Sequence, residues 1–414
     1  MRISAPHLLS NPHESVPAAT SSRCPVCGGS DVVDTARRER LPAMQNYVYR
    51  TRDEALEATE GQLVLAVCRA CGFGWNRTFD PGLLVYDEGY DNAVPSRIMA
   101  DYYREIVDHL RGTYDLEGGL VLDVGCGDGT FLRAICDAVP GARGLGVDPA
   151  LSRDCIEDDG RIVLIKDIFS SQVISERPAL IVSRHVLEHI PDPVAFLRTI
   201  GQGVAPDRCP CFFEVPDLAW ILDNHAFWDI CYEHCNYFTA SSGQVALRES
   251  GFMPTSIRAA FGSQYLWLEA WTGATEMLGA GSFAGVALAD EAVGYAAAEA
   301  VLIERTRERM RALKSAGSQL AVWGMATKGV LFSLLVDPDA ALIDFCIDIN
   351  PNKQGCFVPV SGHAISAPDA LRSRTSERPL EIVMMNENYI SEIARACSEL
   401  GIAAHVGGAA ELID

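Results

Sequence analysis

The feature that most constrains the fold is a glycine-rich turn from strand to helix at residues 120–130. An apolar stretch, Leu120-Val121-Leu122, leads into Asp123-Val124-Gly125-Cys126-Gly127-Asp128-Gly129, and a helix-like pattern begins at Thr130. Glycine lets the backbone turn sharply and approach a ligand closely, so this order predicts a ligand-binding βα unit. The spacing is Asp-x-Gly-x-Gly-x-Gly and not the G-x-G-x-x-G of dinucleotide-binding proteins, which disfavours NAD as the ligand.

Strand-like and helix-like segments alternate around this turn, from about residue 96 to residue 272. Such alternation predicts an α/β fold with a mostly parallel, doubly wound sheet. The helix candidates are Ser96–Arg111 and Thr130–Val139. The strand candidates are Leu120–Val124, Gly144–Val147, Ile162–Ile165, Leu180–Ser183 and Cys211–Val215.

A second unit of the same class is expected at about 317–414. Before it, residues 285–314 carry Ala, Glu and apolar residues at helical spacing, which predicts one long helix. The strand candidates of the second unit are Gln319–Trp323, Phe345–Ile349 and Glu381–Met385.

The glycine-rich turn resembles the first motif of class I methyltransferases, which take a methyl group from S-adenosylmethionine (SAM). The resemblance implies a Rossmann-like sheet and a loop that wraps the cofactor. Acids follow the next two strands, and the family pattern assigns Asp148 to the ribose hydroxyls and Asp167 to the adenine amine. The expected cofactor-binding residues are Asp123, Gly125, Gly127, Gly129, Asp148, Asp167, Ile168, Ser183 and His185.

Four of the 14 cysteines form two matched C-x-x-C-Gly knuckles, at residues 24–28 and 68–72. Each knuckle presents two thiolates to one ion, and its glycine frees the backbone so that amides can point at sulfur. Two knuckles supply a closed set of four sulfurs, which favours Zn²⁺ in a structural role. The alternatives are one knuckle beside a chance pair, and a redox pair. The expected metal ligands are Cys24, Cys27, Cys68 and Cys71.

Two further segments, 185–192 and 227–238, are rich in ionisable and aromatic residues. The first follows the fourth predicted strand, and ligands bind outside the carboxyl ends of strands in such sheets. The second contains Glu233 next to His234. An imidazole takes a proton near neutral pH, and a carboxylate orients it or raises its basicity, so this pair is typical of a catalytic loop.

Together these features resemble the zinc-containing sugar C-methyltransferases that act on nucleotide-linked 4-keto deoxysugars. The resemblance runs from about Cys24 to the end of the chain. It includes the knuckles, the SAM motif, Glu-His-x-x-Tyr-Phe at 233–238, and two C-terminal runs at 323–330 and 348–355. It implies SAM and structural Zn²⁺ as cofactors, and methylation of a carbon next to a ketone through an enolate.

The same resemblance implies the catalytic roles. His234 corresponds to the base that removes the carbon-bound proton, Glu233 to its neighbouring acid, and His189 to a second active-site histidine. Charge then grows on the ketone oxygen, which donors such as Tyr232 or His189 would stabilise.

Substrate contacts are expected from both α/β units. Tyr90 matches an aromatic residue that leads into the SAM unit, and Tyr237 is also assigned to the substrate. In the C-terminal unit Lys328 would meet a diphosphate and Asp348 a ribose. The alternative is a docking domain that only closes the cleft.

The chain departs from this family's pattern near the expected substrate position. Cys231 stands three residues before the histidine, where the family has tyrosine, and Tyr232 follows one place later. The family's His-Gly-Gly-Ser-Leu-Arg segment is Phe-Gly-Ser-Gln-Tyr-Leu-Trp here, at 261–267. The segment Tyr86–Ser96 also differs from the usual Ser- and Gly-rich form.

Composition restricts the partners. The net charge is −21 and the chain has no basic run, so nucleic acid is not expected. No secretory signal and no run of roughly 18 apolar residues is recognised, and the cysteines outside the knuckles are scattered, which predicts a cytoplasmic protein without membrane contact. A small-molecule substrate is expected, with the chain acting as a monomer or homodimer.

Four segments are expected: a disordered tail at 1–20, a zinc-binding module at 21–80, a SAM-dependent methyltransferase domain at 81–272, and a helical lead-in with a C-terminal α/β substrate-binding domain at 273–414. Other functions stay open at this point. One is O- or N-methylation of another small molecule in secondary metabolism. The others are a non-enzymatic zinc- and nucleotide-binding protein and, ranked lower, an NAD oxidoreductase.

Overall fold

The computed structural model describes residues 23–86, 89–91, 95–205, 207–273, 285–373 and 378–412. The strands within these ranges form three sheets. The tail expected at 1–20 lies outside the described residues. None of the described helices has both the length and the apolar composition needed to cross a membrane.

Strands and helices are numbered in chain order. The strands are β1 (Val32–Pro42), β2 (Glu60–Cys68), β3 (Gly74–Asn76), β4 (Leu120–Val124), β5 (Arg143–Val147), β6 (Cys155–Glu157), β7 (Ile162–Ile165), β8 (Leu180–Arg184), β9 (Pro210–Pro216), β10 (Asn236–Tyr237), β11 (Met253–Ala260), β12 (Tyr265–Trp271), β13 (Gln319–Trp323), β14 (Phe345–Ile347), β15 (Ile365–Ser366), β16 (Leu380–Met384) and β17 (His405–Gly408). The α-helices are α1 (Arg52–Leu56), α2 (Arg97–Thr113), α3 (Thr130–Ala138), α4 (Pro193–Val204), α5 (Leu218–Asp223), α6 (Ala240–Glu249), α7 (Gly285–Ser315), α8 (Thr327–Val336) and α9 (Ile390–Glu399).

The first sheet is antiparallel, with the order β1-β2-β3-β10. Its fourth strand therefore comes from the middle of the sequence. Asn236 pairs with Trp75 and Tyr237 with Gly74, directly after the second cysteine knuckle. The segment that carries Glu233 and His234 is thereby fixed to the N-terminal sheet.

The second sheet has the order β11-β12-β9-β8-β4-β5-β7-β6. Its centre, β9-β8-β4-β5-β7, is parallel, so the loops after these strands meet at one edge. The sheet as a whole is mixed, because β12 runs antiparallel between β9 and β11, and β6 runs antiparallel to β7. This is the class I SAM methyltransferase fold, Rossmann-like, that the glycine-rich turn predicted.

The third sheet is parallel, with the order β15-β14-β13-β16-β17. The long helix α7 precedes it and packs on the N-terminal sheet. There Arg38 of β1 forms a buried ion pair with Glu299 of α7, with Nη2 and Oε1 2.5 Å apart. Arg38 also donates to the carbonyl oxygens of Phe227 and Ile230, at 2.8 and 2.5 Å. One hydrophobic core is continuous from the N-terminal sheet through α7 to α8.

Sequence patterns predicted eight parallel strands within two residues of their bounds, namely β4, β5, β7, β8, β9, β13, β14 and β16, and the long helix at 285–314 is confirmed as α7. They did not predict the antiparallel strands β1–β3, β6 and β10, the pair β11 and β12, or the parallel edge strands β15 and β17. The division of the chain into four segments stays a prediction.

Candidate functional site

The glycine-rich loop lies at the carboxyl end of β4, and each of its glycines has a left-handed backbone. Gly125 has φ +78°, and a Cβ there would lie 2.2 Å from Val186 Cγ2. Gly127 has φ +56°, but a Cβ there would meet no atom within 4 Å. Gly129 has φ +83° and precedes α3 as its N-cap. Gly125 is therefore required by packing, whereas a side chain at position 127 would enter open space.

Two acids predicted to bind cofactor lie at this loop. Asp148, which follows β5, accepts a hydrogen bond from Gly127 N to Oδ2 at 2.8 Å and from Ala150 N to Oδ1 at 2.7 Å. Asp123, within β4, is buried, and burial raises its pKa to about 7, although the guanidinium of Arg184 opposes the shift. The loop and the acid of the neighbouring strand are thus joined by a direct contact.

The remaining cofactor candidates lie on the same edge of the sheet. Asp167 accepts from Ile168 N at 2.8 Å, and the Ile168 side chain is exposed. Ser183, at the end of β8, is buried, and its Oγ has no hydrogen-bond partner among the described residues. An exposed apolar side chain and an unpartnered hydroxyl on this edge of the sheet fit a bound adenosine, which would cover the first and hydrogen-bond the second.

His185 is held between two buried carboxylates. Its Nδ1 lies 3.3 Å from Glu188 Oε1, and its Nε2 lies 3.2 Å from Glu214 Oε2. Burial by itself would lower the pKa of His185, but the two carboxylates outweigh it and raise the pKa to about 9. Glu214 also accepts from Arg184 and Tyr102. His185 is therefore a cation in a charge network and not a free base.

His189 and His234 are brought together. Their ring centroids are 4.9 Å apart, with the planes at 81°. His189 Nδ1 lies 3.1 Å from the carbonyl oxygen of Glu233, so this nitrogen is the donor of that hydrogen bond. Burial, and next the charge of His189, lower the pKa of His234 to about 3. The His234 imidazole is consequently neutral at ordinary pH, and this low pKa makes it a weak base.

Glu233 points toward two tyrosines of the preceding loop. Tyr86 OH donates to Glu233 Oε1 at 3.3 Å and lies 3.5 Å from His189 Nδ1. The Tyr90 ring lies 5.0 Å from the Tyr86 ring, edge to face. Burial and the nearby Glu233 carboxylate raise the pKa of both phenols. Sequence reasoning named Tyr90 and missed Tyr86, although their spacing on one loop was a usable signal.

The hydroxyls of the other two predicted tyrosines, Tyr232 and Tyr237, form hydrogen bonds with backbone groups. Tyr232 OH accepts from Asp80 N at 2.7 Å and donates to Asp80 O at 3.2 Å. Tyr237 OH donates to Cys231 O at 2.8 Å, while its ring centroid lies 6.4 Å from that of His234. The structure does not bring either hydroxyl to the histidine pair, because backbone groups occupy both.

In the C-terminal unit, Lys328 is already engaged. Its Nζ lies 2.9 Å from Asp229 Oδ2 and 2.7 Å from Gln264 Oε1. Asp348 is buried and accepts from Met325 N to Oδ2 at 2.7 Å. This contact has the same form as that of Gly127 N with Asp148, since in each unit the loop after the first strand donates to the acid after the second.

The four knuckle cysteines converge at the N-terminal sheet. Cys24 and Cys71 have sulfurs 3.6 Å apart, and Cys27 and Cys68 have sulfurs 3.5 Å apart. All four sulfurs lie within 4.8 Å of one another. Zn–S bonds of about 2.3 Å in a tetrahedron place sulfurs about 3.8 Å apart, so the set has the size of a zinc site.

Comparisons with known proteins agree with this geometry. A family described as "Methyltransferase domain" matches residues 96–257, and one described as "C-methyltransferase C-terminal domain" matches residues 281–404. The C-methyltransferase NovU of Streptomyces niveus is 27% identical over 398 residues, which cover 89% of this chain and 90% of that protein.

Two other similarities are confined to part of the chain. A ubiquinone biosynthesis O-methyltransferase of Leptothrix cholodnii is 32% identical over 100 residues, which cover 22% of this chain and 42% of that protein. The solved 1,6-didemethyltoxoflavin-N1-methyltransferase of Burkholderia thailandensis is 19% identical, with a TM-score of 0.32, and the match covers 43% of this chain and 80% of that chain.

The parallel sheet, its glycine-rich loop and the matches along the chain lead to one conclusion. The protein is a SAM-dependent methyltransferase, and its homology to C-methyltransferases extends over most of its length.

Proposed function

We propose that the enzyme methylates the carbon next to the ketone of a nucleotide-linked 4-keto deoxysugar, in a natural-product or cell-surface sugar pathway. The observation that carries the proposal is the pair of imidazoles, His189 and His234, whose ring centroids lie 4.9 Å apart. Oxygen and nitrogen acceptors are already nucleophilic and need mainly proximity to SAM, whereas a carbon acceptor needs a base to remove its proton. The similarity to a C-methyltransferase over nearly the whole chain supports the same choice.

The proposed roles follow from the positions of the side chains. His234 removes the carbon-bound proton, and the electron pair of the C–H bond passes into an enolate. When bound, SAM supplies an electrophilic methyl group, which the enolate carbon takes as the C–S bond breaks. A donor is needed where charge grows on the ketone oxygen. The tyrosines at the histidine pair, Tyr86 and Tyr90, are placed better for this than Tyr232, whose hydroxyl is bound to Asp80.

The cofactor-binding residues are proposed from the loop at the end of β4. Gly127 leaves the open space for SAM, and Asp148 faces the same loop through its contact with Gly127 N. Asp167 and Ile168 are proposed to contact the adenine, and the Ser183 hydroxyl to form a hydrogen bond with the adenosine. Asp123 and His185 complete the wall of the pocket from β4 and the end of β8.

For the nucleotide of the substrate we propose the C-terminal unit. Its loop and Asp348 repeat the contact that Gly127 and Asp148 make in the SAM unit. Lys328 reaches a diphosphate only if it gives up Gln264 or Asp229. The test is the affinity of a Lys328→Met variant for dTDP, measured by calorimetry. If the variant binds dTDP as tightly as the wild type, the domain only closes the cleft.

The four cysteines are proposed to hold one structural Zn²⁺. All four positions of a tetrahedral ion would be filled by sulfur, so no position stays open for substrate. In this proposal the ion fixes β2 and β3, and through β10 the loop that carries His234.

Exchange at the substrate carbon tests the C-methylation proposal. The probe is dTDP-4-keto-6-deoxyglucose in D₂O without SAM, with deuterium followed at the carbons on both sides of the ketone. We expect the wild type to catalyse exchange and His234→Ala to lose it by about 100-fold or more. The matched control is His405→Ala, whose side chain is exposed and paired with Glu381 at the far end of the third sheet.

The alternatives give other results. An O- or N-methyltransferase would bind SAM but catalyse no exchange at carbon. A non-enzymatic protein would neither exchange the proton nor transfer a methyl group from SAM to any keto sugar offered. Full turnover by His234→Ala would remove the base assignment.

A further inference from the structure

We infer that Glu188, and not Glu233, is the carboxylate that positions the histidine pair and stabilises the imidazolium formed when the substrate proton is removed. The inference rests on the proposed function and names the acid partner of its base. Glu188 lies in the short helical turn Leu187–His189 directly after β8. Its position follows from the sheet, because β8 delivers this turn to the carboxyl edge where the SAM loop also lies.

The Glu188 carboxylate is buried and half satisfied. Its side chain is 2% exposed. Oε1 meets His185 Nδ1 at 3.3 Å, and Oε2 has no hydrogen-bond partner among the described residues. A buried carboxylate oxygen without a donor is costly, so its retention points to a donor that arrives during function.

The donor is at hand in the histidine pair. One nitrogen of His189, one of His234 and one carboxylate oxygen of Glu188 all lie within 4.8 Å of one another. His234 begins the reaction neutral, so its uptake of the substrate proton creates a new positive charge beside this oxygen. The carboxylate also opposes the effects that lower the pKa of His234.

Glu233 serves a different set of groups, although it precedes His234 in the sequence. Its carboxylate accepts from Tyr86 at 3.3 Å, and its Oε1 lies 3.9 Å from His189 Nδ1. The contact that fixes His189 comes from the Glu233 carbonyl oxygen and not from the carboxylate. The Glu233 carboxylate therefore interacts with the tyrosines, and its backbone carbonyl oxygen fixes His189.

The charges balance in the proposed step. The C–H bond breaks, its electron pair stays on the enolate, and the proton moves to His234. Glu188 keeps its negative charge throughout and faces the imidazolium. After methyl transfer, His234 returns the proton to water, and Glu188 is again the unpartnered neighbour of a neutral ring.

The test compares Glu188→Gln with Glu233→Gln, since each change removes one charge without changing shape. Exchange at the carbons beside the ketone of dTDP-4-keto-6-deoxyglucose is measured without SAM, and SAM affinity by calorimetry. We expect Glu188→Gln to lose exchange by about 100-fold, with a smaller loss for Glu233→Gln and partial rescue by Glu188→Asp. Melting temperatures of the three variants show whether each is folded.

A second measurement does not depend on turnover. With ¹⁵N-labelled histidine, the His234 signals among the nine histidines are assigned by comparison with His234→Ala. We expect Glu188→Gln to move the imidazole ¹⁵N shifts of His234, and Glu233→Gln to leave them in place. A structural role alone would not move them selectively.

Three results overturn the inference. One is exchange by Glu188→Gln within about threefold of the wild type. Another is a His234 shift that follows Glu233 instead of Glu188. The third is a dependence of activity on added Zn²⁺ or Mn²⁺ that disappears in Glu188→Gln. That result would mean that Glu188, His189 and His234 bind a metal ion. If the wild type neither exchanges nor methylates the probe, the proposed function fails, and the ¹⁵N shifts still decide whether Glu188 partners His234.

Discussion

Alanine substitutions at Gly125 and Gly127 are expected to have different effects, the first on protein stability and the second mainly on SAM affinity. In Gly125→Ala the new methyl group lies 2.2 Å from Val186 Cγ2, on a backbone with φ +78°. The left-handed backbone costs an alanine about 1–2 kcal/mol, and forcing a methyl group into a packed site costs about 1–3 kcal/mol more. We expect the free energy of unfolding of this domain to fall by about 2–5 kcal/mol.

Gly127→Ala is the matched change, because its φ is +56° and its Cβ meets no protein atom within 4 Å. Only the backbone term applies, so we expect a loss of about 1–2 kcal/mol in stability. The methyl group instead enters the space assigned to SAM, and SAM affinity should fall by about tenfold or more.

Urea unfolding and calorimetric titration with SAM measure the two effects separately. A Gly125→Ala, Val186→Ala double variant should recover the steric part of the loss but not the backbone part. The reasoning is refuted if Gly127→Ala binds SAM as the wild type does, since the open space beside residue 127 would then not hold the cofactor.

Three further outcomes are expected. Cys68→Ser should lower the zinc content from one ion per chain to less than about a tenth, measured by mass spectrometry of the metal, while Cys155→Ser outside the knuckles should not change it. The pKa of Asp123 is raised from 3.8 to about 7 in the folded protein, so the stability contributed by this acid falls as pH rises from about 4 to about 7. Asp123→Asn should therefore raise the stability of the SAM-free protein more at pH 8 than at pH 5 in denaturant titrations, and an equal gain at both would contradict the shift. Arg38→Met leaves Glu299 buried without its cation and should cost about 3–5 kcal/mol, most of which an Arg38→Met, Glu299→Leu double variant should recover; equal losses in both would show that the ion pair is not the cause.

The eight predicted parallel strands were recognisable because most are short apolar runs that end at a polar residue or a glycine. Leu120–Val124 and Ile162–Ile165 appear in the structure with the predicted bounds. Burial on both faces of a parallel sheet imposes such runs, so the sequence carries the signal locally. The glycine-rich turn added the fold class and the cofactor.

The antiparallel strands carry no comparable signal. Strand β1 includes Arg37, Arg38, Glu39 and Arg40. Arg38 is buried with partners that lie far along the chain, namely the Glu299 carboxylate and two backbone carbonyl oxygens. From the sequence alone, a charged residue is expected to be exposed to solvent, because its ion-pair partner is not known. Residues 32–42 form a strand because of contacts with distant parts of the chain, and the segment has no hydrophobic periodicity that would predict it.

The histidine pair shows the same limit within the site. Adjacency in the sequence suggested that Glu233 serves His234, but adjacency does not determine where two side chains point. The structure places the Glu188 carboxylate near His234 and directs the Glu233 carboxylate to Tyr86. His189 and His234 were found from their residue types, while their carboxylate neighbours depend on the fold.

The pairing of β3 with β10 has a consequence for how the protein is made. A ribosome must add residue 237 before the N-terminal sheet can gain its last strand, so this sheet closes only after most of the methyltransferase sheet has emerged. A fragment cut before that point would present an unpaired edge at β3 to other chains. The cysteine-bearing region is thus not a detachable unit, and expression trials that shorten the chain should keep both partners of this pairing.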